Sequence, residues 1–314
     1  MPVKPLPQSE HSMPPSSRRF PPYLALAIGL AVLSMTGIFV RWANAPGTVT
    51  AAYRMGIAAL VLTPLALREK GGALLKPKLG WLWLLLAGLF IALDHGSLNT
   101  AVNLTRIANC TLLNNLSPLW VSLFALLCWR EKLGRWFWLG LAMALGGAAA
   151  ILGADLVRHP QLGLGDGLAF ASSLFYAGYF LVTQVGRRAG SLWRFSWAIY
   201  AISAILLFGF NLATGTPIAG YSTKTYLVFI AIGVFCQAIG YTSIVYALGH
   251  LPASIVSPTM VAQIVLTSLL AIPLTGESLT LTQVLGGVVV IAGILLVNIS
   301  RARKAKAGAE TSSI

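Results

Sequence analysis

Asp94 and His95 stand side by side deep in an apolar stretch, residues 80–104, and are the sharpest chemical signal in the chain. An ionised carboxylate inside a nonpolar helix costs about 2.5–3.5 kcal/mol on membrane-insertion scales, so it needs a reason to be there. Imidazole titrates near neutral pH. One reading is a proton-sensitive or substrate-orienting site. The other is a structural Asp capped by a neighbouring helix, with His95 hydrogen-bonded inside the bundle. Asn99 follows His95 by one helical turn and lies on the same face.

Further polar and aromatic groups recur at helical spacing within other apolar stretches. Gln237 and Tyr241 are four apart, and Tyr176 and Tyr179 are three apart between Phe175 and Phe180. Thr36 sits near the middle of the first stretch and Gln263 near the middle of the ninth. Ser117-Pro118 interrupts the fourth stretch, with Trp120 just beyond, and Ser257-Pro258 interrupts the ninth. Each proline removes a backbone donor and frees a carbonyl about one turn earlier. Together these side chains would suit a cavity with aromatic walls and a few amide and hydroxyl groups, able to hold a zwitterion whose side chain stacks on rings. Aromatics and prolines in apolar helices also serve packing alone. Arg54, six residues into the second stretch, is expected to snorkel to the nearer interface, with a substrate carboxylate as the alternative partner.

The elements that must position these residues follow from composition. Of 314 residues, 57% are hydrophobic and only 10% charged. A soluble domain carries about 25% charged residues, so a water-soluble fold is excluded. A helix needs about 20 apolar residues to cross the hydrocarbon core of a bilayer. Ten segments qualify: 23–42, 48–67, 80–104, 108–129, 134–154, 163–186, 192–213, 224–248, 251–272 and 278–300. Sheets are excluded, because a lone strand cannot satisfy its backbone in lipid. From Gly80, Asp94 lies roughly 21 Å along its helix at 1.5 Å per residue, past the midplane.

The net charge of +14 is a topological signal rather than a nucleic-acid one, since no basic stripe with interleaved aromatics lies outside the apolar spans. Seventeen of the 22 Lys and Arg fall in the N-terminal tail, the 2–3, 4–5 and 6–7 connections and the C-terminal tail. Four (Arg41, Arg106, Arg158 and Lys224) fall on the other side. Both termini are therefore expected in the cytoplasm. Trp81, Trp83, Trp136 and Trp138 flank that side as interfacial residues. Residues 1–22 read as a disordered cytoplasmic tail and 301–314 as a basic cytoplasmic tail. Cys110, Cys128 and Cys236 have unrelated spacings, which implies neither a disulfide framework nor a metal site.

A shift of 146 residues lays spans 4–5 over spans 9–10. Glu131 then meets Glu277, Leu133 meets Leu279, Leu139-Gly140 meets Leu285-Gly286, and Gly147 meets Gly293. Residues 23–154 and 163–300 thus read as two five-helix units. Five is odd, so the second unit is inverted relative to the first, and its 9–10 junction loses the cations of the 4–5 junction. Glu131 and Glu277 persist in both orientations, and each is expected to cap the following helix. The small-residue runs of spans 5 and 10 permit close helix packing, within one chain or between two. Inverted repeats recur in secondary transporters, which bind substrate near the midplane at interrupted helices.

This pattern resembles the EamA-type branch of the drug/metabolite transporter superfamily. The resemblance rests on YALGHLPASIV (246–256), NNLSPLWVSLFALLCWREKL (114–133), TGESL (275–279), GLAMALGG (140–147), GGVVVIAG (286–293) and GDGLAFASSLFYAGYFLVTQVGRR (165–188), and it covers nearly all of 22–300. The first half departs from it with Asn109-Cys110 where the second half has Pro252-Ala253. The 10-span amino-acid exporters, aromatic ones included, are the most similar members.

The resemblance implies an all-α integral membrane protein of the cell inner membrane. It implies ten helices in two inverted repeats, exporting small metabolites by alternating access, with membrane lipid and a small-molecule substrate as partners. Both a monomer and a homodimer fit. No nucleotide-binding glycine loop, zinc-protease motif or nucleophile elbow is present, and no cofactor is expected. Another small metabolite or an organic-cation drug is the alternative cargo. A lipid-modifying enzyme is the distant one, because Asp155, His159 and Asp166 form no recognisable constellation.

Overall fold

The computed structural model describes residues 20–69, 80–158, 163–189, 191–275 and 280–312. Among these, ten helical stretches are long and apolar enough to cross a membrane: Pro22–Val40, Gly47–Arg68, Gly80–Leu104, Ala108–Leu127, Arg135–Leu152, Leu164–Arg187, Leu192–Ala213, Thr223–Leu248, Ala253–Leu270 and Leu281–Arg303. They are called spans 1–10. Many of their outward-facing side chains are bare hydrocarbon. Leu60, Leu67, Leu127 and Ile205 are each more than 70% exposed, which only a lipid environment tolerates on this scale.

The bundle is all-α with a two-fold internal likeness. Span 5 packs along span 10 and span 2 along span 7, each pair made of repeat partners. Exchanging the two halves converts the 3–6 contact into the 8–1 contact, the 3–7 into the 8–2, and the 4–6 into the 9–1. All of these contacts occur. The partners run in opposite directions. Thr48 Oγ1 donates to Asn211 Oδ1 at 2.6 Å, while Trp197 Nε1 donates to Thr63 Oγ1 at 3.1 Å, so the start of span 2 meets the end of span 7 and the reverse. The two repeats are therefore inverted.

Spans 5 and 10 approach through glycine. A Cβ on Gly147 would lie 2.6 Å from the Gly286 carbonyl oxygen, and one on Gly293 would lie 2.5 Å from that of Gly140. The small-residue runs thus pair within one chain.

Glu131 does not cap span 5. That helix begins at Arg135, with Gly134 accepting from the Phe137 and Trp138 amides, so the cap position lies three residues beyond the carboxylate. Glu131 Oε2 instead pairs with Arg301 Nη2 at 2.8 Å and accepts from Ser254 Oγ at 3.0 Å. Antiparallel packing of spans 5 and 10 brings Arg301 level with the 4–5 connection. Glu277, like His159, lies outside the described residues.

Four spans are irregular. Span 4 is two helices, Ile107–Asn114 and Ser117–Leu127, with Pro118 in the first turn of the second, where a missing amide hydrogen costs nothing. Span 9 breaks at Val261, between Ala253–Met260 and Ala262–Thr275, three residues after Pro258. Span 1 breaks without proline, between Pro22–Leu33 and Thr36–Ala43. Span 8 contains a π-helix, Ile232–Tyr241, a geometry that recurs at functional sites.

Candidate functional site

The break in span 1 exposes backbone carbonyls, and side chains from other spans satisfy them. Gln263 Nε2 donates to the Leu33 carbonyl at 2.8 Å and Thr267 Oγ1 to the Ser34 carbonyl at 2.9 Å. Cys236 Sγ approaches the Val32 carbonyl at 3.8 Å. Unpaired carbonyls in a dry interior would be costly, so these contacts make the broken helix tenable.

Beside this break lies a cavity of about 80 Å³, lined by Leu33, Thr36, Arg54, His95, Leu98, Asn99, Asn114, Tyr176, Tyr241 and Gln263. Its walls come from spans 1, 2, 3, 4, 6, 8 and 9, so both repeats build it. One water needs about 10–15 Å³ on this measure, so the space holds a few waters, well short of the 300 Å³ or more typical of metabolite pockets. Bound cargo requires the bundle to open. A larger hollow of about 500 Å³ between spans 9 and 10 is lined by Val265, Leu269, Val284, Val288 and Ile291 and offers no charged group.

Seven residues singled out in the sequence share the cavity wall: Thr36, Arg54, His95, Asn99, Tyr176, Tyr241 and Gln263. Asp94 stands directly behind it, 1% exposed, with Oδ2 at 3.0 Å from His95 Nδ1 and Oδ1 accepting from Asn114 Nδ2 at 3.2 Å. Adjacent helical residues point about 100° apart, which is why one faces the space and the other backs it. Tyr179 is fully buried behind Tyr176, their rings parallel within 8° at 6.4 Å. Gln237 reaches the cavity only through Arg54. Pro118 and Trp120 lie elsewhere: Trp120 Nε1 donates to Ser173 Oγ at 2.9 Å and its ring meets Phe170 edge-on. Asn99 Nδ2 donates to the Gly47 carbonyl at 3.4 Å, holding span 3 against the start of span 2.

Arg54 corrects the sequence expectation. It does not snorkel: it is 2% exposed and turned into the bundle. Its Nε donates to Gln237 Oε1 at 2.6 Å, and its guanidinium carbon sits 5.1 Å from the centre of the Tyr241 ring. The face that carries Arg54 packs on span 8, where the π-helix presents Gln237 and Tyr241. Among the described residues no carboxylate pairs with it. Its Nη2 has no partner, and neither have His95 Nε2 and Thr36 Oγ1. All three residues line the cavity, while other buried atoms without a partner, Ser196 Oγ and Ser257 Oγ among them, lie away from it. Asn114 is a polar lining residue that sequence reasoning passed over. Its signal was the Asn114-Asn115 pair just ahead of Ser117-Pro118, two amides in an otherwise apolar run.

The cavity therefore offers a buried cation, an imidazole backed by a carboxylate, and tyrosine rings, at a junction of both repeats. The model of the EamA-like transporter family matches residues 21–153 and again 163–299. The chain belongs to the EamA-like transporter family. It is a multi-pass integral membrane protein and a secondary transporter of small molecules. It is 24% identical over 274 residues to an uncharacterized transporter of Archaeoglobus fulgidus, covering 87% of this chain and 94% of that one. A second uncharacterized transporter, from Clostridium kluyveri, is 26% identical over 268 residues, covering 82% and 86%. A solved crystal structure with 18% identity superposes at a TM-score of 0.74 over 88% of this chain and 97% of its own, which speaks to the shared fold alone.

The oxygens of Asp166, weighed above as an enzymatic candidate, are taken by Thr105 Oγ1 at 3.0 Å, Asn109 Nδ2 at 3.2 Å and the Gly163 amide at 2.9 Å, a tie from the 3–4 connection and the start of span 4 to the start of span 6. Among the described residues, no group of three or more His, Cys, Asp or Glu is placed to hold a metal ion.

Proposed function

We propose that this EamA-like transporter exports small metabolites bearing a carboxylate, amino acids foremost and aromatic ones among them, across the cell inner membrane. Alternating access at the Arg54–His95 cavity moves the cargo, with both termini in the cytoplasm. The observation that carries this reading is Arg54. A buried guanidinium is strongly favoured by a bidentate carboxylate and costly without one. Here its described partners are an amide and a ring face, while Nη2 is buried without a partner on a residue that lines the cavity. A substrate carboxylate supplies the missing partner. Tyr176 and Tyr241 on the same wall supply surfaces for an apolar or aromatic side chain. An organic-cation drug would place a second positive charge beside Arg54 and is disfavoured on that ground. The steep bias of Lys and Arg between the two sides supports the orientation.

Cells that express the chain should resist toxic amino-acid analogues and accumulate less labelled amino acid than cells expressing Arg54→Ala at the same membrane level. Equal accumulation in both would overturn the role given to Arg54. Accumulation unchanged from control cells without the protein would overturn the amino-acid cargo.

A further inference from the structure

A second residue of the cavity lining carries its own unmet atom. His95 Nδ1 lies 3.0 Å from Asp94 Oδ2, and Asn114 Nδ2 donates to the other carboxylate oxygen at 3.2 Å. With Asp94 ionised, its carboxylate only accepts hydrogen bonds, and the Nδ1 that faces it carries the ring proton. The neutral imidazole then presents a bare lone pair at Nε2. That atom is buried and has no partner, and the residue that carries it lines the cavity. The cavity thus pairs an open donor, Arg54 Nη2, with an open acceptor, His95 Nε2. Asp94 behind the imidazole adds negative charge on the same side as the acceptor.

We infer that His95, held in this tautomer by Asp94, recognises the α-ammonium group of the substrate through Nε2, and that the cavity is built for zwitterions rather than for carboxylates in general. The inference rests on the carboxylate reading of Arg54 and adds the second pole. A zwitterion brings no net charge into the dry interior, and its dipole aligns with the fixed one between guanidinium and Asp94-backed imidazole. A plain carboxylic acid leaves Nε2 unpaired. A plain amine leaves Arg54 unpaired. Sites built to hydrogen-bond a group reject analogues that lack it far more strongly than apolar pockets reject a missing methylene. Thr36 Oγ1, buried without a partner on another lining residue, can take a second ammonium hydrogen.

The test is binding to the purified full chain in lipid nanodiscs. The ligands are phenylalanine, leucine and alanine, their deaminated acids, and their decarboxylated amines. The wild type should prefer at least one amino acid over its deaminated acid by about tenfold or more. His95→Ala should abolish that preference while still binding the deaminated acid, which also reports that the variant is folded. Asp94→Asn should weaken the preference in the same direction and serves if His95→Ala does not fold. A preference that survives in both variants, or a wild type that favours the deaminated acids, would overturn the role of His95 and leave the carboxylate reading standing. Binding of amines alone, or of none of the three classes, would overturn both.

Discussion

Gly140 and Gly293 touch through their backbones: a Cβ built on Gly140 would lie 2.7 Å from the Gly293 carbonyl oxygen. The pair repeats in mirror sense as Gly147 with Gly286, so one contact is converted into the other when the repeats are exchanged. A rigid backbone cannot yield to a methyl group as a flexible side chain does. Gly293→Ala should therefore destabilise the protein by about 1–3 kcal/mol, the usual cost of overpacking. Gly146, with nothing within 4 Å of its would-be Cβ, is the control. Gly146→Ala should leave stability unchanged or raise it slightly, because glycine is the poorer helix former. Thermal unfolding of the detergent-purified variants measures both.

These glycines also show what the sequence made legible. Ten spans, the inversion and the 5–10 likeness follow from hydropathy, charge bias and a 146-residue offset, all of which are properties of the chain read in order. The cavity was half legible. Thr36, His95, Asn99, Tyr176, Tyr241 and Gln263 are polar or aromatic groups inside apolar runs, and such groups must turn toward one another. Arg54 was misread because a position near a helix end fits snorkelling as well as it fits a partner on another helix. Only packing against span 8 decides between them. The span 1 break was invisible because no proline marks it. Its carbonyls are satisfied from span 9, more than 200 residues away.

Gln263 and Thr267 are accordingly expected to act as struts. Removing a donor from a buried carbonyl costs about 1–3 kcal/mol. Gln263→Leu and Thr267→Val should each destabilise the break at Ser34–Met35. Hydrogen exchange of the backbone amides around residues 33–37 should accelerate, while that of the 5–10 interface should not. Unchanged exchange at the break would show that the carbonyls find other partners.

The Glu131–Arg301 pair joins the 4–5 connection to the end of span 10, and both side chains are largely shielded, at 20% and 16% exposure. The costs of Glu131→Gln and Arg301→Gln measured singly should sum to more than the cost of the double variant. A coupling of about 0.5–1 kcal/mol is expected for so modestly buried a pair. A double-mutant cycle on unfolding stability measures it, and a coupling near zero would assign Glu131 to its Ser254 bond alone.

Inversion and orientation can be read chemically. The exposed Cys128 must first be replaced. Single cysteines placed next to Glu131 and next to Glu277 should then react with an impermeant thiol reagent from opposite sides of the membrane. The first should be protected in intact cells and the second labelled. Labelling of both from outside would contradict inverted repeats, and the reverse pattern would place the termini outside.

Arg54→Lys separates charge from geometry. Lysine keeps the positive charge but presents a point ammonium in place of the planar fork. It loses the 2.6 Å bond from Nε to Gln237 Oε1 or the open donor on the cavity, because one ammonium cannot serve both directions as the guanidinium does. Hydrogen bonds to charged groups contribute about 1.5–3 kcal/mol, which corresponds to roughly a tenfold to hundredfold change in affinity. Transport in liposomes should therefore show half-saturation raised by that factor, with unfolding stability altered far less. If Arg54 served only to pack span 2 on span 8, the result would invert: stability would fall and half-saturation would hold. Measuring both quantities on one preparation decides whether the buried guanidinium belongs to the cargo or to the scaffold.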